Sequence, residues 1–239
     1  MSTVPRFLRR APQRELCTGL LALCAALAAC STKPVPEWSL NASDAARRAM
    51  QAQLEGASRV ADLEWGKARS EAAQTGQPAL MARLALMRCA LQVASLDWDD
   101  CSGYTPYAQD AAPAEQAYHR YLYGALQSGD VALLPAQHRG VAATLAQGGS
   151  VTAAQLQAVP DDTARLVASG AALRAGRTSA EALWPVVDAT ATPQGWRRPL
   201  IAWMELERRR LDSAGATAAA QALARRLDVL QLQDKPTRP

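Results

Sequence analysis

Leu80-Met81-Ala82-Arg83-Leu84-Ala85-Leu86-Met87-Arg88-Cys89-Ala90-Leu91 places Leu80, Leu84, Met87 and Leu91 at i, i+4, i+7 and i+11. That is the repeat of one face of an α-helix, so the stretch predicts an amphipathic helix whose apolar stripe needs a partner helix. No run in the chain alternates apolar and polar residues as a half-buried strand does. The composition agrees. Hydrophobic residues make up 49% but aromatics only 5%, with a single Phe, so Ala and Leu carry the apolar content, and both are strong helix formers.

The same pattern predicts helices on both sides of that stretch. Upstream, Asn41 or Ser43 can cap a helix through about Glu55 that stops at Gly56, and a second runs from about Ser58 to Gln74 before Gly76. Downstream, the irregular segment from Ser95 to Ala112 holds the acidic run Asp97-Trp98-Asp99-Asp100. Pro113, suited to a first helical turn, opens a helix that buries Tyr118, Tyr121, Leu122, Ala125 and Leu126 and ends at Ser128-Gly129. A helix over about 131–147 puts Val131, Leu134, His138, Val141 and Leu145 on one side. Thr152 with Gln155 forms one capping box, Asp161 or Asp162 starts the next helix, and Thr178 with Glu181 forms another box. Pro185 should kink its helix or shift its start. The last two helices carry Leu200, Trp203, Met204 and Leu211, then Ala220, Leu223, Leu227 and Leu230. The expected all-α domain spans 43–231, with a polar, disordered tail at 232–239.

A glycine recurs where one helix hands over to another: Leu54-Glu55-Gly56, Leu126-Gln127-Ser128-Gly129, Leu173-Arg174-Ala175-Gly176 and Leu211-Asp212-Ser213-Ala214-Gly215. This resembles the turn inside tetratricopeptide-like repeats, where glycine takes the left-handed position of a tight helical hairpin. The resemblance implies stacked helical hairpins, an irregular α-solenoid; an ordinary α-bundle is the alternative.

The N-terminus carries a different signal. Arg6, Arg9, Arg10 and Arg14 precede an apolar run from Leu16 to Ala29 that ends in Leu27-Ala28-Ala29-Cys30. As a helix the run is about 21 Å long, short of the ~30 Å hydrocarbon core of a bilayer. Leu27-Ala28-Ala29-Cys30 resembles the lipobox of bacterial lipoproteins. The resemblance implies a signal peptide over 1–29, a lipidated Cys30 and a tether over 30–42 containing Lys33-Pro34-Val35-Pro36. It also implies attachment to the membrane through the lipid on Cys30, since two or more acyl chains anchor stably. Ser31, which is not Asp, implies outer-membrane sorting facing the periplasm. Removal of the leader would leave 22 basic and 21 acidic residues from Cys30 onward. That near-balance argues against nucleic acid as a partner, because phosphate binding needs a concentrated basic face.

With Cys17 and Cys24 in the leader and Cys30 acylated, Cys89 and Cys101 remain. In an oxidising envelope compartment they are expected to form a disulfide joining a helix to the loop after it; the alternative is two buried free thiols.

The chemistry-bearing motifs are otherwise absent. No HExxH, CxxC, GxSxG, P-loop or GxGxxG occurs, so no catalytic residue, metal site or cofactor is assigned. His138 reads as a hydrogen-bonded core residue and His119 as solvated surface. Asp97, Asp99 and Asp100 lack the spacing of a calcium loop. Trp196-Arg197-Arg198 with Arg208-Arg209-Arg210 is the candidate partner surface. The expected function is that of an envelope lipoprotein acting as a non-enzymatic interaction scaffold. Its likeness to tetratricopeptide lipoproteins implies a role in outer-membrane, pilus or secretion assembly, with an envelope protein as partner. The alternative is a peptidoglycan-acting enzyme or its regulator, for which neither Glu115 nor Glu205 stands in a recognisable catalytic setting.

Overall fold

Alanine and leucine give up little side-chain freedom in a helix, and helix is what this chain forms. The computed structural model describes residues 34–232, which contain ten α-helices, two 3₁₀ turns and, among the described residues, no strand. The helices are α1 (Glu37–Glu55), α2 (Ser58–Ala73), α3 (Pro78–Ala94), α4 (Pro113–Tyr123), α5 (Ala136–Ala146), α6 (Ala153–Gln157), α7 (Asp162–Arg174), α8 (Ala180–Gln194), α9 (Arg197–Ser213) and α10 (Thr217–Gln231). Thr105–Asp110 and Ser128–Leu133 are the 3₁₀ turns. The signal stretch, Cys30 and the tail beyond Leu232 lie outside the described residues. No helix among the described residues is long and apolar enough to cross a membrane.

α1 starts at Glu37, so residues 37–42 of the expected tether are helical and Asn41 and Ser43 lie inside the helix. Pro36 keeps the residue before it out of the helical region. Glu37 places a negative charge in the first turn, where the helix dipole favours it. α1 and α2 form a hairpin turned at Gly56, whose φ of +84° suits glycine. Its interior is mostly alanine: Ala45, Ala46 and Ala49 on α1, Ala61, Ala68 and Ala72 on α2. Trp65 fills the remaining space and donates from Nε1 to the buried Gln53 Oε1 at 2.8 Å.

α3 carries the Leu80–Leu91 stretch, and its role exceeds that of a one-sided helix. Leu80, Leu84 and Met87 are only partly buried, whereas Ala82, Leu86, Cys89, Ala90, Leu91, Val93 and Ala94 are buried. The helix packs against α1, α2, α4 and α7. A helix apolar nearly all round belongs in the interior, and this one is the centre of the core. The buried Trp203 of α9 reaches it as well, donating from Nε1 to the Ala94 carbonyl at 2.9 Å.

Sequential neighbours account for part of the packing, through α1–α2, α8–α9 and α9–α10. The α3–α7 and α1–α9 contacts join elements distant in sequence, which nearest-neighbour stacking of repeats does not provide.

Several boundaries differ from expectation for local reasons. α4 ends at Tyr123, because Gly124 (φ +77°) takes the left-handed cap, and a Cβ there would lie 3.1 Å from the Ala175 backbone. Gly129, the expected stop, has no such role. The expected helix over 131–147 is split before Pro135, which holds Leu134 at an extended ψ of 155°. Ser179 caps α8 in place of Thr178. The Thr178 hydroxyl instead accepts from the Val151 amide at 2.9 Å, tying two loops together. α8 continues as one helix over Pro185 and Pro193. The Thr152–Gln155 capping box forms, and Asp161 caps α7 by accepting from the Ala164 amide at 2.7 Å.

Candidate functional site

The expected partner surface does not assemble. Trp196–Arg198 opens α9 and Arg208–Arg210 closes it, about 15 Å apart along the axis at 1.5 Å per residue. Trp196 is 6% exposed and belongs to the core, so it cannot present a face to a partner. Arg197 donates to the Leu230 carbonyl at 3.2 Å, and Arg198 reaches Asp97 at 3.4 Å. Arg208 pairs with Glu205 and Asp212, both at 2.7 Å, while Arg209 lies 4.0 Å from Glu205. Arg210 pairs at 2.8 Å with Glu207, which is buried. Hydrogen bonds donated to the Glu205 and Glu207 carboxylates hold the Arg208 and Arg210 guanidinium groups above their ordinary range. Arg197, Arg198, Arg208 and Arg210 are thus engaged within the fold, while Arg209 stays mostly exposed.

The acidic loop is engaged in the fold too. Asp99 closes its own turn, accepting from the Cys101 amide at 3.0 Å and the Ser102 hydroxyl at 3.1 Å. Asp97 pairs with Arg198, and Asp100 pairs with Arg174 at the end of α7. The Arg174 guanidinium also lies over two rings, 4.4 Å from the centre of Tyr123 and 5.3 Å from that of Trp98, a favourable cation–π arrangement. A disulfide joins Cys89 on α3 to Cys101, with Cα atoms 5.2 Å apart. Leu96, Asp100 and Cys101 all have φ between +56° and +58°. Such backbone costs side-chain-bearing residues free energy, so the bridge and the ion pairs hold the loop in a strained path. His119, expected as solvated surface, is half-buried and stacks on Tyr104 with ring centres 4.6 Å apart.

Chemistry gathers elsewhere, in a cleft of about 510 Å³ lined by α3, α4 and α5 together with Leu133–Pro135. Leu86 and Met87 come from α3, Glu115 and Tyr118 from α4, and His138 from α5. Arg83 and Arg139 also line it. The walls are mainly apolar, and the polar groups are unusually placed. Arg83 donates twice to Glu115 Oε1, from Nε at 3.0 Å and Nη2 at 2.7 Å. Glu115 Oε2 is buried and has no hydrogen-bond partner among the described residues.

His138 is 3% exposed, and its Nδ1 is likewise buried without a partner among the described residues. Its ring lies 5.2 Å from that of Tyr121 and 5.6 Å from that of Tyr118. Burial in this aromatic setting pushes the imidazole down to about 4, against a smaller upward pull from Asp161. The ring is therefore neutral near pH 7. Burial raises the Tyr118 and Tyr121 hydroxyls in the same way. The expectation of a hydrogen-bonded core histidine fits its burial, while Nδ1 makes no hydrogen bond among the described residues. Sequence reading places His138 on an apolar face and leaves Glu115 isolated. The approach of α3, α4 and α5 brings them to one cleft, and no local spacing encodes that approach.

No protein-family model matches the chain, and neither a curated protein nor a solved structure matches it significantly.

Proposed function

We propose that this chain is a lipid-anchored envelope protein that acts by binding. Its lipobox-like Leu27-Ala28-Ala29-Cys30 would hold an all-α body at the outer membrane, facing the periplasm. The observation that carries the envelope reading is the Cys89–Cys101 disulfide, buried in the core beside α3. Bonds of this kind persist in oxidising compartments and are rare in the cytosol. The binding reading is supported by the cleft around His138 and by the helical surface around it, whose natural partner is an envelope protein in an outer-membrane, pilus or secretion assembly.

Metabolic labelling with an alkyne-bearing palmitate, followed by membrane fractionation, tests the anchor. Label and membrane association should be present in the wild type and lost in Cys30→Ala. An unlabelled wild-type chain recovered in the cytosol would overturn the reading. In-cell crosslinking should then recover one specific envelope protein.

A peptidoglycan-acting role is the competing reading, since Glu115 lies in a cleft. Glu115 is the one carboxylate among the cleft's described lining residues and is held by Arg83, whereas most glycosidases pair two carboxyl groups across the bond they cut. Release of muropeptides from purified sacculi would establish that role in place of binding alone.

A further inference from the structure

We propose that the cleft between α3, α4 and α5 binds a small monocarboxylate with an apolar body, its carboxylate meeting the guanidinium of Arg139. This deepens the binding reading given above and is independent of the lipid anchor. A volume of about 510 Å³ falls within the span of small-molecule sites, which are mostly apolar with a few well-placed polar groups. Among the lining residues Leu86 and Leu134 are buried, Met87 and Tyr118 are half-buried, and Leu133 is 43% exposed. An apolar ligand body would take the accessible part of this surface out of water, which is favourable.

The sign of the ligand follows from the charges. Arg83, Arg139 and Glu115 line the cleft, two guanidinium groups against one carboxylate, and His138 is neutral near pH 7. Arg83 donates twice to Glu115 Oε1, and Glu115 Oε2 is buried, so this carboxylate is matched and shielded from a ligand. Arg139 is the surplus charge. Its Nε donates to the Leu134 carbonyl at 2.8 Å, which fixes the guanidinium beside an apolar wall residue, and its Nη groups have no partner among the described residues. The amino ends of α4 and α5 also border the cleft, neither capped by a side chain, and their dipoles add to the positive potential.

The choice of a carboxylate follows from the guanidinium itself, whose planar fork of N–H donors fits a carboxylate's two oxygens. A cationic ligand would meet both arginines, and a neutral one would leave Arg139 unmatched. A dianion would exceed the single net charge of the lining, and its excess would be desolvated against apolar walls, which is unfavourable.

The test is a titration of the full chain carrying ¹³C-methyl methionine, with the Met87 signal assigned by Met87→Leu. Hexanoate, 3-phenylpropanoate and indole-3-acetate are the probes, each beside its neutral amide. At least one acid should give a saturable Met87 shift while Met204, which lies outside the cleft, stays still. Its amide should bind about fivefold more weakly, the size of one good ion pair at a partly exposed site. Arg139→Gln should narrow that gap to less than about twofold. No Met87 shift, a shift shared equally by Met204, or amides that bind as tightly as their acids would overturn the proposal. The wild-type comparison decides this even if Arg139→Gln fails to fold. A failed titration leaves the Cys30 labelling and the in-cell crosslinking untouched, so the cleft and the function proposed above can fail separately.

Discussion

Gly170 on α7 lies so close to Val93 on α3 that a Cβ at position 170 would sit 2.2 Å from the Val93 carbonyl oxygen and 2.8 Å from its carbonyl carbon. The next residue, Ala94, offers its carbonyl to Trp203. Three helices from distant parts of the sequence therefore meet at one backbone segment of α3.

This contact makes Gly170→Ala a severe substitution. Alanine normally favours a helix interior over glycine by about 1 kcal/mol, but here the obstacle is backbone and cannot rotate away. The helices must separate, at a cost of about 3 kcal/mol for overpacking. Thermal unfolding should show a Tm lowered by several degrees, and a variant as stable as wild type would mean that α3 and α7 do not cross so closely.

The disulfide closes a loop across a sequence separation of 12, for which chain entropy predicts a stabilisation of about 3 kcal/mol. Reduction, or Cys89→Ala with Cys101→Ala, should lower the denaturant midpoint accordingly. It should also open 95–104 to proteolysis, since Leu96, Asp100 and Cys101 are held at positive φ. Equal protease resistance of the oxidised and reduced chains would contradict this account of the loop.

Stability should also respond to His138. Its imidazole titrates at about 4 in the fold, against about 6.5 when free. The folded state thus resists a proton that the unfolded chain accepts. The contribution is complete above about pH 6.5 and declines as pH falls towards 4, reaching a loss of about 3 kcal/mol. Urea unfolding of wild type and His138→Phe between pH 7 and pH 4 should show the wild type losing more stability over that window. Parallel curves would place the imidazole in solvent.

Asp130 is 4% exposed and accepts from Arg120 at 2.5 and 2.8 Å and from the Gln127 amide at 2.9 Å. Hydrogen bonding from Arg120 holds its carboxyl below the usual range. Asp130→Asn removes the charge match while preserving shape, and should cost about 2 kcal/mol, less than a fully buried pair because Arg120 is part-exposed. A double-mutant cycle with Arg120→Met measures the coupling directly. Coupling near zero would rule out the pair as what anchors the 3₁₀ turn at Ser128–Leu133.

Helical content and many helix ends were legible because their causes are local. Gly56, Gly176 and Gly215 do take left-handed turns, and Thr152 with Gln155 does cap α6. The centrality of α3 was not legible from its strongest stripe, because Leu80, Leu84 and Met87 describe one face and Ala82, Cys89, Ala90 and Ala94 bury the others. Alanine and glycine carry that information weakly: Gly170 looks like an ordinary interruption until α3 lies against it. Arg198 reads as a surface residue because its partner Asp97 comes from another segment, whereas the partners of Arg208 and Arg210 on α9 itself, Glu205, Glu207 and Asp212, stand three or four residues away. Glu115 and His138 failed to stand out for a similar reason, being 23 positions apart on separate helices.

The bridge between Cys89 and Cys101 has a bearing on the order of assembly. Both cysteines belong to the first half of a chain synthesised from its N-terminus, whereas Arg174 and Arg198, which grip Asp100 and Asp97, come far later. The covalent link needs only residues up to 101 to have emerged. A loop shaped early can then present its carboxylates as a ready-made template on which the returning α7 and α9 find their register.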